Sequence, residues 1–395
     1  MTAGSTLLQT KPVNIMFIDH TAKLSGGEIA LLRLISALDR ERFRVSVVLF
    51  SNGKFASELK KIGVQPIILP LDSRVLNTRR ESLGAGLFLQ LGIFQSVLKQ
   101  IALLRDLIAL RKPDIVHTNS LKSDIIGGLA ARLAGVPVLW HIRDRIAPDY
   151  LPSSATKLFR LLARIVPAYL VANSNATMQT LPTGQRASVV YDGIPKPQKT
   201  GRQNRQLSTN TVGLIGRISP WKGQHIFIEA AAIVLKKRPD TRFEIIGSTM
   251  FGEEDYLRGL REQIASLGLT HAVNLVGFRD DISDALSNLS IFVHASVLPE
   301  PFGQTVLEAM AAGVPTIASD AGAIPEIVTH EETGLLVPPG DPAAMAQAIL
   351  RLLDNRSFAQ TIASRARQVA IERFSINMAA TRMQRIYERL IEVES

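Results

Sequence analysis

An alternation of short apolar runs with amphipathic helical patterns passes through this chain twice, and no other feature constrains the fold as strongly. The first round predicts strands at Val13–Ile18, Arg44–Phe50, Gln65–Leu69, Asp114–His117, Val136–His141 and Tyr169–Ala172. The second predicts strands at Thr211–Ile215, Arg242–Ile246, Val273–Val276, Leu289–His294, Val314–Ser319 and Gly334–Val337. Nearly continuous apolar runs are typical of parallel strands covered on both faces. The sequence therefore predicts an α/β fold with two Rossmann-like doubly wound domains that face a cleft.

A polar stretch between the two rounds marks the domain boundary, as expected for a chain of 395 residues. We predict an N-terminal domain at 1–198, a linker at 199–210 and a C-terminal domain at 211–375. A final amphipathic helix at 376–395 has no assigned docking partner.

Composition excludes several classes of protein. The chain has no cysteine, which rules out a disulfide scaffold, thiolate catalysis and cysteine-bound metal. The polar start of the chain lacks a signal-peptide pattern, so we expect a cytoplasmic protein, peripheral at the inner membrane face. The longest charge-free stretch, 82–98, has only 17 residues and contains three glycines, and we reject it as a transmembrane helix. Residues 82–110 could form a core helix or a face on anionic lipid or acceptor.

The basic charge of the chain is concentrated at one end. Residues 1–205 carry a net charge of +15 and residues 206–395 a net charge of −5, which accounts for the total of +10. A one-sided field of this kind suits an anionic partner, although a basic domain without such a partner remains an alternative. No basic motif interleaved with aromatic residues is visible, so we do not expect nucleic-acid binding.

Residues 299–310 follow a predicted strand and contain two glutamates in different structural settings. Their sequence is Pro-Glu-Pro-Phe-Gly-Gln-Thr-Val-Leu-Glu-Ala-Met. The flanking prolines hold Glu300 in an extended loop, whereas Glu308 lies in the second turn of a predicted helix. The backbone N–H groups at the uncapped start of that helix form an anion site; they belong to Phe302, Gly303, Gln304 and Thr305. In isolation, an ordinary loop with two solvated glutamates is the alternative.

Three further segments follow predicted strands. Arg217 and Lys222 lie in a turn that begins at Gly216, and together the two cations could neutralise a diphosphate, or could be surface charges. Gly26 and Gly27 form a glycine-rich turn that permits close approach of a phosphate but matches no specific phosphate-binding spacing. His141, at a strand's carboxyl end, could face a substrate or be a packed core histidine.

With these motifs the chain resembles glycosyltransferase family 4, retaining enzymes of GT-B architecture that use nucleotide sugars. The resemblance rests on Glu300 and Glu308, which have seven residues between them, and on the Pro-Glu-Pro-Phe-Gly run at 299–303 that contains Glu300. It extends over Gly216–Gly223, Val276–Phe278, Ser319–Glu326 and Gly334–Val337, and more loosely over Gly26-Gly27, Asp114–His117, His141 and Tyr191–Ile194.

The resemblance implies a role for each matching residue. Arg217 and Lys222 would bind the donor diphosphate and stabilise the leaving group, and Glu308 would bridge the ribose hydroxyls. The backbone at Phe278 and Arg279 would hold the base. Glu300, with the Phe302–Gln304 amides, would bind the hydroxyls of the donor sugar. Gly27 would approach the diphosphate, and His141 would lie near the transferred sugar; the catalytic set is then Glu300, His141, Arg217 and Lys222.

The resemblance also implies retention of anomeric configuration, with the diphosphate serving as base. Because cations and helix starts can neutralise the leaving group, we expect neither a metal nor a cofactor besides the nucleotide-sugar co-substrate. Many relatives have adjacent His and Asp, whereas Ile142 and Arg143 separate His141 from Asp144 here. Arg143 is therefore a candidate for binding an anionic acceptor.

The sequence favours a hexosyltransferase that uses a UDP-linked donor, UDP-glucose or a UDP-N-acetylhexosamine, and a lipid-linked or polysaccharide acceptor at the cytoplasmic membrane face. A GT-B enzyme with a soluble small acceptor is the alternative. A dinucleotide-dependent oxidoreductase is disfavoured, because no strand leads into G-x-G-x-x-G with an acidic residue about 20 positions later.

Overall fold

In a computed structural model of the chain, the residues described are 11–76, 91–182, 184, 186–196, 210–250 and 252–392. The predicted linker lies outside them except for Asn210, as does the 82–90 part of the predicted amphipathic segment. By packing, the chain divides into two compact units. The N-terminal unit comprises residues up to 173, residues 177–190 and residues from 379 onward, and the C-terminal unit comprises 174–176 and 191–378.

The N-terminal unit is built on a seven-stranded parallel sheet with the strand order β3-β2-β1-β4-β5-β6-β7. The strands are β1 (Val13–Asp19), β2 (Phe43–Leu49), β3 (Ile67–Ile68), β4 (Ile115–Thr118), β5 (Val138–Ile142), β6 (Tyr169–Ala172) and β7 (Ala187–Val189). The helices of its first 173 residues are α1 (Gly26–Ala37), α2 (Lys54–Lys61), α3 (Ser73–Leu76), α4 (Leu91–Arg111), α5 (Leu121–Leu133) and α6 (Ser153–Ile165).

The C-terminal unit has a six-stranded parallel sheet with the order β10-β9-β8-β11-β12-β13. The strands are β8 (Thr211–Ile215), β9 (Arg242–Ile246), β10 (Val273–Gly277), β11 (Ile291–His294), β12 (Thr316–Ser319) and β13 (Leu335–Val337). The remaining helices in chain order are α7 (Asn175–Met178), α8 (Gln224–Leu235), α9 (Glu254–Ser266), α10 (Ile282–Ser287), α11 (Gln304–Ala311), α12 (Ile324–Ile327), α13 (Pro342–Asp354), α14 (Arg356–Arg373) and α15 (Ile376–Glu392).

Both sheets have the same winding, in which the first strand lies between the second and the fourth. In each sheet the strand order therefore reverses beside the first strand, next to β4 in one unit and next to β11 in the other. Ligands of open α/β sheets bind at the carboxyl ends of the strands at such a reversal. The loops after β1, β4, β8 and β11 thus occupy the positions where each unit can bind a ligand.

The apolar cores explain why the strands form. All residues of β4, β5, β11 and β12 are buried, because helices cover both faces of each sheet. Trp140 and Phe159 pack in the N-terminal core with ring centroids 5.2 Å apart. Phe227 and Phe243 do the same in the C-terminal core at 5.6 Å. The prediction of two parallel-sheet α/β domains is confirmed.

The last helix, α15, completes the N-terminal unit. Its buried side chains recur at helical spacing and lie on one face: Ala379, Ala380, Met383, Ile386, Tyr387 and Leu390. On the opposite face, Arg385 and Arg389 are exposed. The ring of Tyr387 packs on Phe43 of β2, with centroids 5.9 Å apart. The terminal helix is thus packed into a domain that begins more than 300 residues earlier in the sequence.

Helix α4 covers most of residues 82–110, the segment that the sequence allowed to be either a core helix or a face on anionic lipid or acceptor. Ile101, Leu104 and Ile108 are buried in the N-terminal core, whereas Phe94 and Leu110 are exposed. Across the described ranges, with their gaps, no helix combines the length and apolarity needed to span a membrane.

Candidate functional site

The C-terminal unit brings together the two loops at its strand-order reversal through a buried ion pair. Lys222, in the loop after β8, places Nζ 2.9 Å and 2.8 Å from the two carboxylate oxygens of Glu300, in the loop after β11. Their side chains are only 17% and 10% exposed. The two charged residues predicted separately from two motifs therefore form one site.

Two further polar side chains contact the Glu300 carboxylate. Nε2 of His294 lies 3.2 Å from Oε2, and the Ser296 hydroxyl donates to the same oxygen at 3.0 Å. Burial disfavours the ionised form of Glu300, but the charge of Lys222 and the hydrogen bonds from His294 and Lys222 outweigh it and hold the pKa well below its ordinary value. Glu300 is therefore a permanent anion, suited to accepting hydrogen bonds from hydroxyl groups.

The backbone of Glu300 is fixed by a close contact with Gly322. The two residues form an isolated parallel bridge, and the Glu300 carbonyl accepts a hydrogen bond from the amide of Ala323 at 2.9 Å. Gly322 has φ of 65°, and a Cβ there would lie 2.3 Å from the Glu300 carbonyl oxygen. Only glycine permits this approach, because both the backbone angle and the contact exclude a side chain.

The loop after β8 is equally constrained. A single 3₁₀ turn at Pro220–Lys222 is followed by Gly223, which has φ of 71° and directly precedes α8. A Cβ on Gly223 would lie 1.9 Å from the carbonyl oxygen of Ala295, so only glycine lets this loop meet the loop after β11. The Lys222 ammonium also lies 4.2 Å from the centre of the Trp221 ring, which steadies it.

Arg217 lies on the same loop and is partly buried. Its Nε is 3.8 Å from a carboxylate oxygen of Glu253, and its guanidinium carbon lies 5.7 Å from the Trp221 ring centre. The side-chain amide of Gln224 donates a hydrogen bond to the Arg217 carbonyl at 2.8 Å, which helps to fix the loop. Both predicted cations are therefore present in one loop, each facing a carboxylate.

The helix that the sequence predicted after the Glu300 loop is α11. Gly303, the residue before the helix, has φ of 106°, and as a glycine it has no side chain with which to cap the first turn. Phe302 is buried, whereas Gln304, Thr305 and Glu308 are half-buried. The first-turn amides and Glu308, one turn later, therefore lie on the same helix directly after the Glu300 loop.

The residues predicted to hold a base lie at the carboxyl end of β10. Gly277 ends the strand with φ of 86°, which turns the chain sharply. The Phe278 side chain is 62% exposed, and Arg279 is exposed with a guanidinium nitrogen 4.0 Å from Asp284. β10 is the edge strand of the sheet and does not adjoin β11.

The N-terminal unit has its own polar cluster at the reversal between β1 and β4. Gly26 and Gly27, predicted in a turn, instead lie in the first turn of α1, which begins after Ser25. Glu28 accepts hydrogen bonds from the Ser25 amide at 2.9 Å and from its hydroxyl, which caps the helix. Burial and the nearby Asp19 charge raise the pKa of Glu28 to about 8. A Cβ at Gly27 would meet its neighbours at ordinary contact distances, 3.6 Å or more.

His141 and Arg143 lie next to this cluster, at the end of β5. His141 is 2% exposed, and Arg143 donates from Nε to Asn119 at 2.7 Å and from Nη2 towards His141 Nδ1 at 3.3 Å. Asn119 in turn donates to Asp19 at 2.7 Å. Arg143, predicted to bind an anionic acceptor, is thus held between an amide and a histidine.

Sequence reasoning missed four partner residues. His294 is the last residue of β11, Ser296 follows it, and both contact the Glu300 carboxylate. Their position just before the Glu300 motif is the signal that could have identified them. His117, at the end of β4, and Tyr387 in α15 contact each other at 2.7 Å and lie beside His141. Tyr387 is 270 residues from His117, so no local pattern could have joined them.

The residues that the structure describes contain no group of three or more histidines or carboxylates arranged to hold a metal ion.

Two family models match the chain. The model described as "Glycosyl transferase 4-like domain" matches residues 25–196, and the model "Glycosyl transferases group 1" matches residues 196–369. The second match contains Arg217, Lys222, Glu300 and Glu308, and the first contains Gly26, Gly27 and His141. Each model alone covers less than half of the chain, and together they cover most of it.

Curated relatives and a solved structure agree with the models. The lipopolysaccharide core biosynthesis mannosyltransferase LpsB of Rhizobium meliloti is 34% identical over 182 residues, 46% of this chain and 52% of that protein, so this alignment spans about half of the relative's length. The UDP-Gal:alpha-D-GlcNAc-diphosphoundecaprenol alpha-1,3-galactosyltransferase of Escherichia coli is 24% identical over 366 residues, 87% of this chain and 89% of the relative.

The crystal structure of Anabaena Alr3699/HepE in complex with UDP and glucose has a TM-score of 0.80 and 28% sequence identity, and the match covers 95% of this chain and 99% of that one. The sheet topology, the site in the C-terminal unit and these matches lead to the same assignment. The chain belongs to the glycosyltransferases of family 4, which have the GT-B fold.

Proposed function

We propose that this protein is a retaining glycosyltransferase that moves a hexose from a UDP-linked sugar to a lipid-linked or polysaccharide acceptor. The observation that carries the proposal is the Lys222–Glu300 pair, in which Glu300 lies in the loop that leads into α11 at the strand-order reversal of the C-terminal unit. The donor is supported by the solved structure with UDP and glucose and by the galactosyltransferase, whose name specifies UDP-Gal and a diphosphoundecaprenol acceptor.

Departure of the nucleoside diphosphate builds negative charge on its phosphate oxygens. We assign the neutralisation of this charge to Lys222, Arg217 and the backbone amides from Phe302 to Thr305, which lead into the first turn of α11. Since fixed cations and amides supply the neutralisation, the proposed reaction is independent of a divalent metal. Both cations already face carboxylates, so the loop is pre-organised and loses little side-chain entropy on binding.

The sugar and the nucleoside have separate recognition groups. The carboxylate of Glu300, ionised at neutral pH, accepts hydrogen bonds from hydroxyls of the transferred sugar and steadies its developing positive charge. Glu308 binds the ribose hydroxyls, and the backbone at Phe278 and Arg279 holds the base. In the N-terminal unit, the backbone at Gly26 and Gly27 contacts phosphate, His141 contacts a sugar, and Arg143 serves an anionic acceptor.

Retention requires the new bond to form on the face from which the diphosphate leaves. The acceptor hydroxyl therefore attacks from that face, and the departing diphosphate takes its proton. No side chain is assigned as the base in this step. The anomeric configuration of the product, read from its proton NMR couplings, tests this assignment: an inverted product would contradict it.

We propose that the acceptor is reached at the membrane surface, with the protein peripheral at its cytoplasmic face. The first 205 residues carry the net charge of +15. Seven exposed large apolar side chains of the N-terminal unit's described residues lie on α4, α5 and α6: Phe94, Leu98, Leu103, Leu110, Leu133, Leu161 and Ile165. Cationic and apolar groups together are what an anionic lipid surface attracts.

Calorimetric titration with UDP-glucose, UDP-N-acetylglucosamine, GDP-mannose and ADP-glucose, each with EDTA present, tests the donor class. We expect binding of a UDP sugar, weakened by Glu308→Ala and by Lys222→Met but unchanged by Lys236→Met, which removes an exposed lysine of the same unit. Binding of only a GDP or ADP sugar would overturn the UDP assignment. Transfer activity that is lost with EDTA and restored only by magnesium would overturn metal independence.

A further inference from the structure

Three buried side chains of the N-terminal unit, Tyr387, His117 and His141, form a hydrogen-bonded chain, and the half-buried Arg143 contacts its last member, His141. The hydroxyl of Tyr387 in α15 lies 2.7 Å from Nδ1 of His117. Nε2 of His117 lies 3.2 Å from Nδ1 of His141, and Nη2 of Arg143 lies 3.3 Å from the same nitrogen. Tyr387 and His117 are fully buried, and neither has a part in the function proposed above.

Arg143 determines which group donates and which accepts in each hydrogen bond between Tyr387 and His141. A guanidinium group only donates hydrogen bonds, so the His141 Nδ1 that faces it must be the acceptor and carries no proton. The orientation of the guanidinium is itself fixed, because its Nε donates to Asn119 Oδ1 at 2.7 Å while Asn119 Nδ2 donates to Asp19 at 2.7 Å. If the side-chain amide of Asn119 were reversed, its NH2 group would face the N–H of Arg143 Nε, and two donors would then oppose each other.

The protons of the remaining groups follow from this one assignment. Since His141 Nδ1 is an acceptor, the 3.2 Å contact requires a proton on His117 Nε2. A neutral His117 then has an unprotonated Nδ1, which accepts a hydrogen bond from the Tyr387 hydroxyl. The opposite direction would set an Nδ1–H of His141 against the N–H of Arg143.

Both rings are neutral in this environment. Burial, and then the charge of Arg143, lower the pKa of His117 and of His141 well below the ordinary value. Burial likewise raises the pKa of Tyr387, so its hydroxyl keeps the proton that it donates. The neutral form of His141 that remains has its single ring proton on Nε2.

We propose that Tyr387 and His117 are positioning residues that act together with Arg143 to hold His141 as the Nε2–H tautomer, ready to donate a hydrogen bond to a substrate oxygen. Nε2 of His141 is buried and has no hydrogen-bond partner among the described residues, so its donor is unused within that part of the chain. A buried N–H without a partner costs free energy, which a ligand oxygen recovers on binding. In naming that oxygen as one of a sugar, the inference rests on the proposed function.

The tautomer can be measured without any activity. In protein labelled with ¹⁵N-histidine, long-range proton–nitrogen correlation spectra distinguish the two neutral tautomers, and His141→Gln identifies the signals of His141 by their loss. We expect a protonated Nε2 and an unprotonated Nδ1 for both His117 and His141 at neutral pH. A protonated Nδ1 on His141, or a doubly protonated ring, overturns the proposal.

A matched pair of variants tests the part played by Tyr387. Tyr387→Phe removes the hydroxyl that donates to His117. Tyr169→Phe is the control, because it removes a hydroxyl of the same unit that contacts Ser188 at 2.7 Å and takes no part in the hydrogen bonds from Tyr387 to His141. We expect Tyr387→Phe to give His117 a mixture of tautomers and to shift the His141 signals. Loss of one hydrogen bond in the chain should lower kcat about 3- to 10-fold with little change in the KM for the donor. Tyr169→Phe should change neither.

Two outcomes would contradict the role of Tyr387. Unchanged His117 and His141 signals in Tyr387→Phe would show that the hydroxyl does not direct the chain. An equal fall of kcat in Tyr169→Phe would show that the effect is a general loss of packing. If no UDP sugar is transferred, the proposed function fails, yet the spectra still decide the tautomer.

Discussion

Glu300 and Lys222 show how two charges can be buried in a protein of this kind. Removing two charges from water is unfavourable unless each has a full set of partners, and here Lys222, His294 and Ser296 surround one carboxylate. The sequence predicted both members of the pair, because each follows an apolar strand in a glycine-containing loop. It could not predict their contact, which depends on the pairing of β8 with β11, nor the role of His294, which reads as the last residue of a strand.

Replacement of Glu300 by Gln keeps the shape of the side chain and removes its charge. Lys222 then has no buried counter-ion, and we expect a loss of up to about 3–5 kcal/mol of stability, together with a fall in transfer activity of about 100-fold or more. Chemical denaturation and steady-state kinetics measure the two effects. Glu332→Gln, at an exposed position of the same unit, is the control and should leave both unchanged.

The same pair predicts a pH dependence. The pKa of Glu300 is lower in the folded protein than its ordinary value of 4.5, so its stabilisation is complete above about pH 4.5 and is lost as the pH falls below that value. The difference in melting temperature between the wild type and Glu300→Gln should therefore shrink from pH 6 towards pH 3. A difference that stays constant over this range would contradict the ion pair.

Gly322→Ala should disturb Glu300 from the other side. Gly322 and Gly340 have similar positive φ values, 65° and 74°, but a Cβ at Gly340 meets no atom within 4 Å. Gly340→Ala should therefore cost only the backbone strain, about 1–2 kcal/mol. Gly322→Ala adds the clash with the Glu300 backbone and should cost more and lower transfer activity as well. Equal losses in urea denaturation, with activity retained in both variants, would show that the close contact is unimportant.

At the scale of elements, the strands were predicted well where they are buried on both faces. β6, β8 and β9 have the predicted bounds, since each of the three strands is followed directly by asparagine or glycine. β7 was missed: it has three residues, each half-buried, at the sheet edge, and carries no such run. Gly26 and Gly27 were placed in a turn, but the capping pair Ser25 and Glu28 starts the helix at Gly26.

The packing of α15 gives a prediction for a whole element. Met383 is fully buried on the face that joins the N-terminal unit, whereas Met378 of the same helix is 36% exposed. Met383→Ala should cost about 2–5 kcal/mol through the lost contacts and the cavity, and Met378→Ala much less. Thermal unfolding of both variants measures the difference. Equal melting temperatures would mean that the helix does not support the domain through this face.

For the whole molecule, the sequence predicted the repeated architecture and the uneven charge, since both are properties of long stretches. It could not indicate that residues from 379 onward pack with the first half of the chain. An amphipathic helix has one apolar face and no local mark of which core it covers. Likewise, the hydrogen-bonded chain from Tyr387 to His141 exists only after that packing is formed.

The charge and apolar side chains of the N-terminal unit predict reversible binding to anionic membranes. In flotation assays, vesicles that contain phosphatidylglycerol should bind the protein at low salt and release most of it at high salt, because screening shortens the reach of surface charges.

Arg132 and Lys157 are exposed, and they lie on the helices that carry the exposed Leu133 and Leu161. Charge reversal of both to Glu should weaken binding, whereas reversal of Lys236 and Lys237, exposed in the C-terminal unit, should have a smaller effect. Equal binding to neutral phosphatidylcholine vesicles, or equal losses in the two double variants, would mean that this basic surface does not select the membrane.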